Sequence, residues 1–148
     1  MKVLITGSNG MLGQKLVYKL KHKNDIELFA SSKGENRISD KSNYKYISLD
    51  VTNEIRVSKI VQEINPDVVI NTAAMTNVDD CEDKQTDCIN LNVNAVLFLA
   101  NSCFNIGAHL VHISSDFIFD VKSGPYKEND SPNPLSFYGK SKLDSWLC

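Results

Sequence analysis

The sequence predicts an α/β fold in which helices cover both faces of a doubly wound parallel sheet. Short apolar runs with strand character recur along the 148-residue chain, and stretches of helical periodicity separate them. This alternation is typical of βαβ units, and a chain of this length holds one domain with a hydrophobic core. The predicted strands are Val3–Thr6, Ile26–Ala30, Tyr44–Leu49, Val68–Asn71 and Leu110–Ser114.

Three helices are predicted between the strands, and residues at their ends support the boundaries. Thr52 or Asn53 can cap the second helix, Asn65-Pro66 stops it, and Gly107 stands where a left-handed residue ends the third. A long loop, Asp120–Pro134, follows the last strand, and Leu135–Cys148 then begins another helix that Ser136 can cap. The three predicted helices are Met11–His22, Asn53–Ile64 and roughly Asp87–Ile106.

Composition narrows the classes of function. With 16 Lys+Arg against 18 Asp+Glu, and no dense basic run, the chain is not expected to bind nucleic acid. Its start is too short an apolar run for a signal peptide, so we expect a cytoplasmic protein without a membrane segment. His109 and His112 would point to opposite faces of a strand, so no metal site is expected. Reduced thiols are expected at Cys81, Cys88, Cys103 and Cys148.

The first strand runs directly into a glycine-rich turn. Gly7, Gly10 and Gly13 are spaced by three and precede the first predicted helix. Gly7 allows the tight turn, Gly10 lets a pyrophosphate approach the backbone, and Gly13 lets the helix pack closely against the strand. The helix N-terminus adds N–H donors and a positive dipole end. At this junction the pattern predicts a Rossmann-type domain that binds a nicotinamide dinucleotide.

The end of the second strand bears on which dinucleotide binds. In NAD-selective domains an acidic residue there binds the ribose 2′-hydroxyl. This chain instead has Ser31, Ser32 and Lys33, which offer hydroxyls and a cation. Such groups suit a 2′-phosphate, so the sequence favours NADPH, with NADH as the alternative.

Five blocks of sequence along nearly the whole chain carry a family resemblance. They are Gly7–Gly13, Pro66–Asp79, Ile113–Asp120, Pro125–Glu128 and Tyr138–Leu143. In content and order these blocks resemble one branch of the extended short-chain dehydrogenase/reductases, the dTDP-4-dehydrorhamnose reductases and their sugar-nucleotide relatives.

The resemblance implies a set of cofactor contacts beyond the glycines. Asn92 matches an asparagine of the family, although an interior helical Asn bonded to backbone explains it equally well. Asp50 and Val51 would contact the adenine. The remaining implied contacts are Asn9, Met11, Leu12, Ala73, Ala74 and Met75, together with Tyr138 and Lys142.

Tyr138 and Lys142 are four residues apart, so on a helix both can face one site. A nearby ammonium favours the phenolate of a tyrosine, which suits the phenol to donate a proton near neutral pH. The resemblance implies that Lys142 also binds the nicotinamide ribose and that Ser115 orients the substrate carbonyl. Asp116 would border the sugar, beside Phe117, where the family usually has Tyr.

Together these residues predict NADPH-dependent reduction of the 4-keto group of a nucleotide-linked deoxysugar. We expect the chain to be an incomplete domain, without the C-terminal substrate lobe of the family. The sequence leaves open whether the chain forms a homodimer. One alternative is a non-catalytic NADP-binding subunit resembling the methionine adenosyltransferase beta subunit, which shares the fold and similar Ser-Ser-Asp and Tyr-Gly-Lys-x-Lys blocks. Another is a truncated remnant without activity.

Overall fold

A computed structural model describes residues 1–122 and 124–146. Its five strands all run parallel. The strands are β1 (Lys2–Thr6), β2 (Glu27–Ser32), β3 (Lys45–Ser48), β4 (Val68–Asn71) and β5 (His109–His112). The helices are α1 (Met11–Leu20), α2 (Glu54–Ile64), α3 (Val78–Asp83), α4 (Gln85–Ile89), α5 (Ala95–Ile106) and α6 (Phe137–Asp144).

The strand order is β3-β2-β1-β4-β5, so the predicted doubly wound sheet is confirmed. The chain moves outward from β1 to β3, then returns to place β4 on the other side of β1. In sheets of this kind, ligands bind in the crevice at the carboxyl ends of the strands, where the winding reverses. The glycine turn after β1 and the segment after β4 lie at that crevice.

Side-chain alternation along the strands divides the core into two layers. On β1, Leu4 packs with α2 and α5 residues such as Val61 and Leu99, whereas Val3 and Ile5 pack on the opposite face with Val17 of α1. Helices therefore cover both faces, and the three-layer arrangement predicted from the sequence is confirmed.

The ends of α2 follow the predicted signals. Asn53 caps the helix by accepting a hydrogen bond from the Arg56 N–H, and Asn65 ends it in the left-handed conformation with φ 46°. Gly107 ends α5 in the same conformation, with φ 71°. Ser136 caps α6 by accepting from the Gly139 N–H. These residue types were predictable because each satisfies a helix-end group that lacks an intrahelical partner.

The third predicted helix needed correction. Its start is α4, a π-helical turn (Asn90–Asn94) follows, and α5 completes it, so the segment is not one regular α-helix. The short helix α3 was not predicted, although Asn77 caps it and two acidic residues lie in its first turn. The span Gln85–Ile106 is long and apolar enough to cross a membrane by length and composition. In this structure Leu99 and Cys103 of that span lie in the core beside α2.

Other element boundaries also moved. The second strand runs on to Ser32 instead of ending at Ala30, and α1 ends at Leu20 instead of His22. The fifth strand ends at His112, two residues before the predicted end. The predicted loop Asp120–Pro134 contains no regular helix or strand among its described residues. The last two residues of the final predicted helix lie outside the described residues.

Candidate active site

The glycine turn fits closely against the loop that follows β4. A Cβ on Gly7 would lie 2.5 Å from the Ala73 nitrogen, and the φ of Gly7 is +73°. A Cβ on Gly13 would lie 2.4 Å from the Gly7 oxygen. A side chain at either position would displace backbone, so glycine is required at both. A Cβ on Gly10 would approach the Gly7 oxygen at 3.3 Å without displacing backbone, and Gly10 lines the cavity.

A cavity of about 510 Å³ opens at the carboxyl ends of β1, β2 and β3. The glycine turn forms one wall, and the residues after β3 form another. The first helical turn of α1 adjoins this crevice, and N–H groups of a first turn have no partners within their helix. The residues that line this cavity of about 510 Å³ include Gly7, Gly10, Ser32, Lys33, Asp50, Val51, Ala73 and Ala74.

A second cavity of about 280 Å³ continues from the first toward α6. Both cavities are lined by Gly10, Thr72, Ala73 and Ala74, so they adjoin, and the pair is called the cleft. The far end holds Ser114, Tyr138 and Lys142, which are predicted site residues or their neighbours. The turn side of the second cavity is lined by Met11, Leu12 and Gly13.

Lys142 is held in place by the end of β5. Its side chain is almost fully buried; Nζ donates to the Ile113 oxygen at 2.7 Å and lies 3.1 Å from His112 Nε2. Burial lowers the pKa of Lys142. Burial, and then the charge of Lys142, lower the pKa of His112 to about 4. The contact of His112 with Lys142 was not predicted, because the sequence raised His112 only as a possible metal ligand.

Tyr138 lies one turn before Lys142 on α6, and both line the same cavity, as the four-residue spacing predicts. Its ring makes an edge contact with Phe117, with centroids 5.5 Å apart. Tyr138 is 8% exposed, and its ring packs with the buried thiols of Cys81 and Cys88. Apolar packing therefore fixes the ring of Tyr138 at this end of the cleft.

The two serines after β5 have separate positions. Ser114 lines the cavity with Tyr138, whereas Ser115 caps a single 3-10 turn (Asp116–Ile118) by accepting from the Phe117 N–H. The Ser115 hydroxyl also donates to Asp116 at 3.2 Å. Because β5 ends before either serine, strand alternation does not determine which hydroxyl faces the cavity. The family pattern favours Ser115, whereas the neighbouring Ser114 is the one that lines the cavity.

Asn92 is buried away from the cavity. Its amide nitrogen donates to the Met75 oxygen at 3.0 Å and to Ser141 Oγ at 2.9 Å, and its oxygen accepts from the Met75 N–H at 2.8 Å. Because the Asn92 side chain is fully buried, it is not exposed to the cavity in this structure. Asn92 instead joins the loop after β4 to α6, which fixes the relative positions of the two cavity walls.

The residues expected to recognise the ribose phosphate are only partly at the cavity. Ser31 is fully buried and its hydroxyl donates to the Ile5 oxygen, so that side chain is unavailable to a ligand. Ser32 and Lys33 do line the cavity. Lys33 forms an ion pair with Asp50, and this pairing lowers the pKa of Asp50.

Three other predicted site residues have structural partners. Asn9 donates to the Glu35 oxygen and accepts from the Arg37 N–H, which fixes the loop after β2. The side chain of Met75 packs with the cluster around Cys81. Asp116 borders a smaller apolar hollow with Phe117. The cavity of about 510 Å³, the large cavity, is also lined by residues that were not predicted from the sequence. They are Leu49, Thr52, Thr72, Asp87, Asn90 and Leu91.

No group of three or more His, Cys, Asp or Glu side chains in the described part of the chain could hold a metal ion. Cys81, Cys88 and Cys103 are buried free thiols. Burial raises the pKa of Cys81 to about 12 and that of Cys103 to about 11. Cys148 lies outside the described residues.

A family model described as the RmlD substrate binding domain matches residues 1–145 of this chain. The chain belongs to this family. An RmlD-family relative, dTDP-4-dehydrorhamnose reductase of Aggregatibacter actinomycetemcomitans, is 36% identical over 97% of this chain and 45% of its own length. Methionine adenosyltransferase 2 subunit beta of Danio rerio is 38% identical over 97% of this chain and 42% of its own length. The chain thus spans less than half the length of these relatives.

Solved structures agree with the RmlD-family assignment. A dTDP-4-dehydrorhamnose reductase of Clostridium acetobutylicum superposes with a TM-score of 0.86 and 38% identity, covering 99% of this chain and 48% of the other. The dTDP-4-dehydrorhamnose reductase of Bacillus anthracis, solved in complex with NADP, has a TM-score of 0.79 and 30% identity, with 99% and 48% covered. The predicted family and Rossmann-type fold are therefore confirmed.

Proposed function

We propose that this RmlD-family chain forms the cofactor half of an NADPH-dependent reductase that acts on the 4-keto group of a nucleotide-linked deoxysugar. The observation that carries the proposal is that two adjoining cavities extend from the glycine turn to Tyr138 and Lys142. The two ends of this cleft match the two tasks of such an enzyme, which are to hold a dinucleotide and to protonate a reduced carbonyl.

The residues present fit a nicotinamide dinucleotide. Gly7 and Gly13 let the turn pack against backbone that a Cβ would displace, and Gly10 lines both cavities. The glycine turn and the start of α1 would hold the pyrophosphate, since helix N-termini favour anions. Asp50 and Val51 would border the adenine end, and Lys33 the ribose phosphate. When bound, the cofactor supplies the hydride.

The protein supplies the proton and the orientation of the substrate. Tyr138 would donate its phenolic proton to the oxygen of the carbonyl as that oxygen gains negative charge. Lys142 lies on the same helical face and contributes positive charge there when it is protonated. A serine hydroxyl at the end of β5 would hold the carbonyl oxygen. We assign this task to Ser115 from the family pattern, with Ser114 as the alternative that lines the cavity.

A chimaera tests the reductase proposal. This chain is fused to the C-terminal half of the Clostridium acetobutylicum reductase, and NADPH oxidation with a dTDP-4-keto sugar is followed. We expect turnover by the chimaera and negligible turnover by the 148-residue chain alone, because substrate orientation contributes much of the rate.

Variants of the chimaera identify the acid. Tyr138→Phe should lower kcat by about 10² or more while NADPH binding persists. Tyr18→Phe removes a phenol that contacts Ser39 far from the cleft and should leave kcat unchanged. Full activity of Tyr138→Phe would show that another group donates the proton. A difference between Ser114→Ala and Ser115→Ala identifies the serine that holds the carbonyl.

A second candidate function is a non-catalytic subunit, which the 38% identity to a methionine adenosyltransferase beta subunit supports. In that case the same cleft would hold NADP without turnover, and the chain would bind a catalytic partner. Co-purification with a methionine adenosyltransferase catalytic subunit, without any reduction by the chimaera, would favour this candidate. Reduction by the chimaera without such binding would favour the reductase.

A further inference from the structure

A buried chain of polar groups connects β1 to Lys142. The Thr6 hydroxyl donates to Asn71 Oδ1 at 2.6 Å, and Asn71 Nδ2 lies 3.2 Å from His112 Nδ1. On the other side of the imidazole, His112 Nε2 lies 3.1 Å from Lys142 Nζ. Thr6 and Asn71 are fully buried or nearly so, so water does not compete for these contacts.

The orientation of Asn71 determines the tautomer of His112. The Ala73 main-chain N–H, which can only donate, lies 3.1 Å from Asn71 Oδ1. The amide oxygen is therefore committed to Ala73 and Thr6, and the amide nitrogen faces His112. An amide nitrogen also only donates. His112 Nδ1 must accept this hydrogen bond, so the neutral imidazole carries its hydrogen on Nε2.

The hydrogen on His112 Nε2 meets two groups. Ser145 Oγ lies 3.2 Å away and uses its own hydrogen on the Lys142 oxygen at 2.8 Å, so it can accept from the imidazole. Lys142 Nζ is the second group. An ammonium has donors and no acceptor, so it cannot accept from this N–H. A neutral amine can accept from His112 while it donates to the Ile113 oxygen at 2.7 Å.

We propose that His112 is a positioning residue for Lys142: Asn71 holds the imidazole with its hydrogen on Nε2, and this N–H stabilises the neutral amine of Lys142 in the free protein. The part that concerns catalysis rests on the proposed reductase function, whereas the tautomer does not. Lys142 then takes up its proton when a ligand brings further acceptors into the cleft. The charge that supports Tyr138 would in this way appear together with bound ligands.

Burial and other titratable groups around Lys142 also affect its protonation. Burial lowers the pKa of Lys142 and acts in the same direction as the His112 N–H. Cys88 of α4 acts in the opposite direction. Tyr138 lines the same cavity from α6. His112 of β5 is a further titratable group close to Lys142.

Nuclear magnetic resonance of the unliganded chain tests the tautomer directly. The chain has three histidines, His22, His109 and His112, so a long-range ¹H–¹⁵N spectrum of the rings is simple to assign. We expect the hydrogen of His112 on Nε2 at neutral pH. Loss of the His112 signals in His112→Gln, and their persistence in His109→Gln, establish the assignment. A hydrogen on His112 Nδ1 would overturn the proposal.

Two variants then distinguish the effect of Asn71 on the His112 tautomer from a general change in packing. Asn71→Asp places an acceptor opposite Nδ1, so the hydrogen should move to Nδ1 and the pKa of Lys142, followed through its ¹³Cε signal, should rise by about one unit or more. Ser145→Ala keeps Asn71 and should keep the hydrogen on Nε2. An unchanged tautomer in folded Asn71→Asp, or a changed one in Ser145→Ala, would contradict the role of Asn71.

If Asn71→Asp does not fold, the unmodified chain and Ser145→Ala still decide the tautomer. None of these measurements uses a cofactor or substrate. A failed tautomer prediction therefore leaves the proposed reductase function intact. Conversely, if His112 carries its hydrogen on Nε2 but the chain binds no NADPH, the proposed function is contradicted and the tautomer prediction is confirmed.

Discussion

Lys33 Nζ lies 2.7 Å from Asp50 Oδ2 at the rim of the large cavity. The end of β2 and the residues after β3 are thereby joined by an ion pair beside the expected adenosine end of the cleft. Lys33 is 82% exposed, so the pair is open to solvent and can exchange partners. A ligand phosphate would compete with Asp50 for the lysine.

We predict that the chain binds NADPH at least tenfold more tightly than NADH, a difference of about 1.4 kcal/mol. Lys33→Gln should bring the ratio toward one, while Asp50→Asn should increase it because Lys33 loses its competing partner. Lys45→Gln removes a lysine that pairs with Glu27 at the opposite end of the sheet, and should change nothing. Calorimetric titration of both cofactors measures these ratios. Equal affinities in the unmodified chain would refute the prediction.

The second prediction concerns stability and pH. The pKa of His112 is lowered to about 4, whereas an unfolded histidine titrates near ~6.5. The unfolded chain therefore binds more protons between these values, and the free energy of unfolding should decrease as pH falls from about 6.5 to about 4, by on the order of 3 kcal/mol. Urea unfolding at several pH values measures this.

The matched variants for that experiment are His112→Gln and His109→Gln. His112→Gln should flatten the pH dependence in this window, whereas His109→Gln, at an exposed position on the same strand, should preserve it. The same slope in His112→Gln and in the unmodified chain would show that other groups cause the acid sensitivity.

The glycine turn gives a third prediction. Gly13→Ala would place a methyl group 2.4 Å from the Gly7 oxygen, so it should lower the free energy of unfolding by about 1–3 kcal/mol. Gly10→Ala meets the same oxygen at 3.3 Å and has little else nearby, so it should lower stability less and weaken NADPH binding more. Thermal unfolding and titration of the two variants compare these effects. Similar losses of stability in both would contradict the packing argument.

The fourth prediction tests the link between the loop after β4 and α6. Asn92→Ala leaves the Met75 N–H and oxygen without their side-chain partner, which should cost about 1–3 kcal/mol of stability. Asn94→Ala removes only an exposed bond to Asn90 in the same π-helical turn and should cost less than about 0.5 kcal/mol. Denaturant midpoints provide the comparison. An Asn92 variant as stable as the Asn94 variant would show that this link is dispensable.

Local signals in the sequence predicted most of the fold. Asn53, Gly107 and Ser136 end or begin helices through their own side chain or backbone, so their positions could be read without the tertiary structure. The π-helical turn was not predicted, and it carries Asn92, whose side chain contacts Met75 in the separate segment after β4. Spacing on one helix likewise predicted that Tyr138 and Lys142 share a cavity.

Sequence spacing failed where partners come from distant strands. The contact between His112 and Lys142 joins residues 30 positions apart, and nothing in the local pattern of β5 predicts it. Ser31 looked available because β2 was expected to end at Ala30, but the strand continues and buries its side chain. The ion pair of Lys33 with Asp50 also required the sheet to place β3 beside β2.

Titration of NADPH into the purified 148-residue chain, with folding verified by circular dichroism, tests the central claim most directly. We predict one saturable site per chain, with affinity for NADPH reduced in Gly10→Ala and retained in Tyr18→Phe. A folded chain that shows no saturable NADPH binding, or equal binding by Gly10→Ala, would contradict the assignment of the glycine turn as the cofactor site.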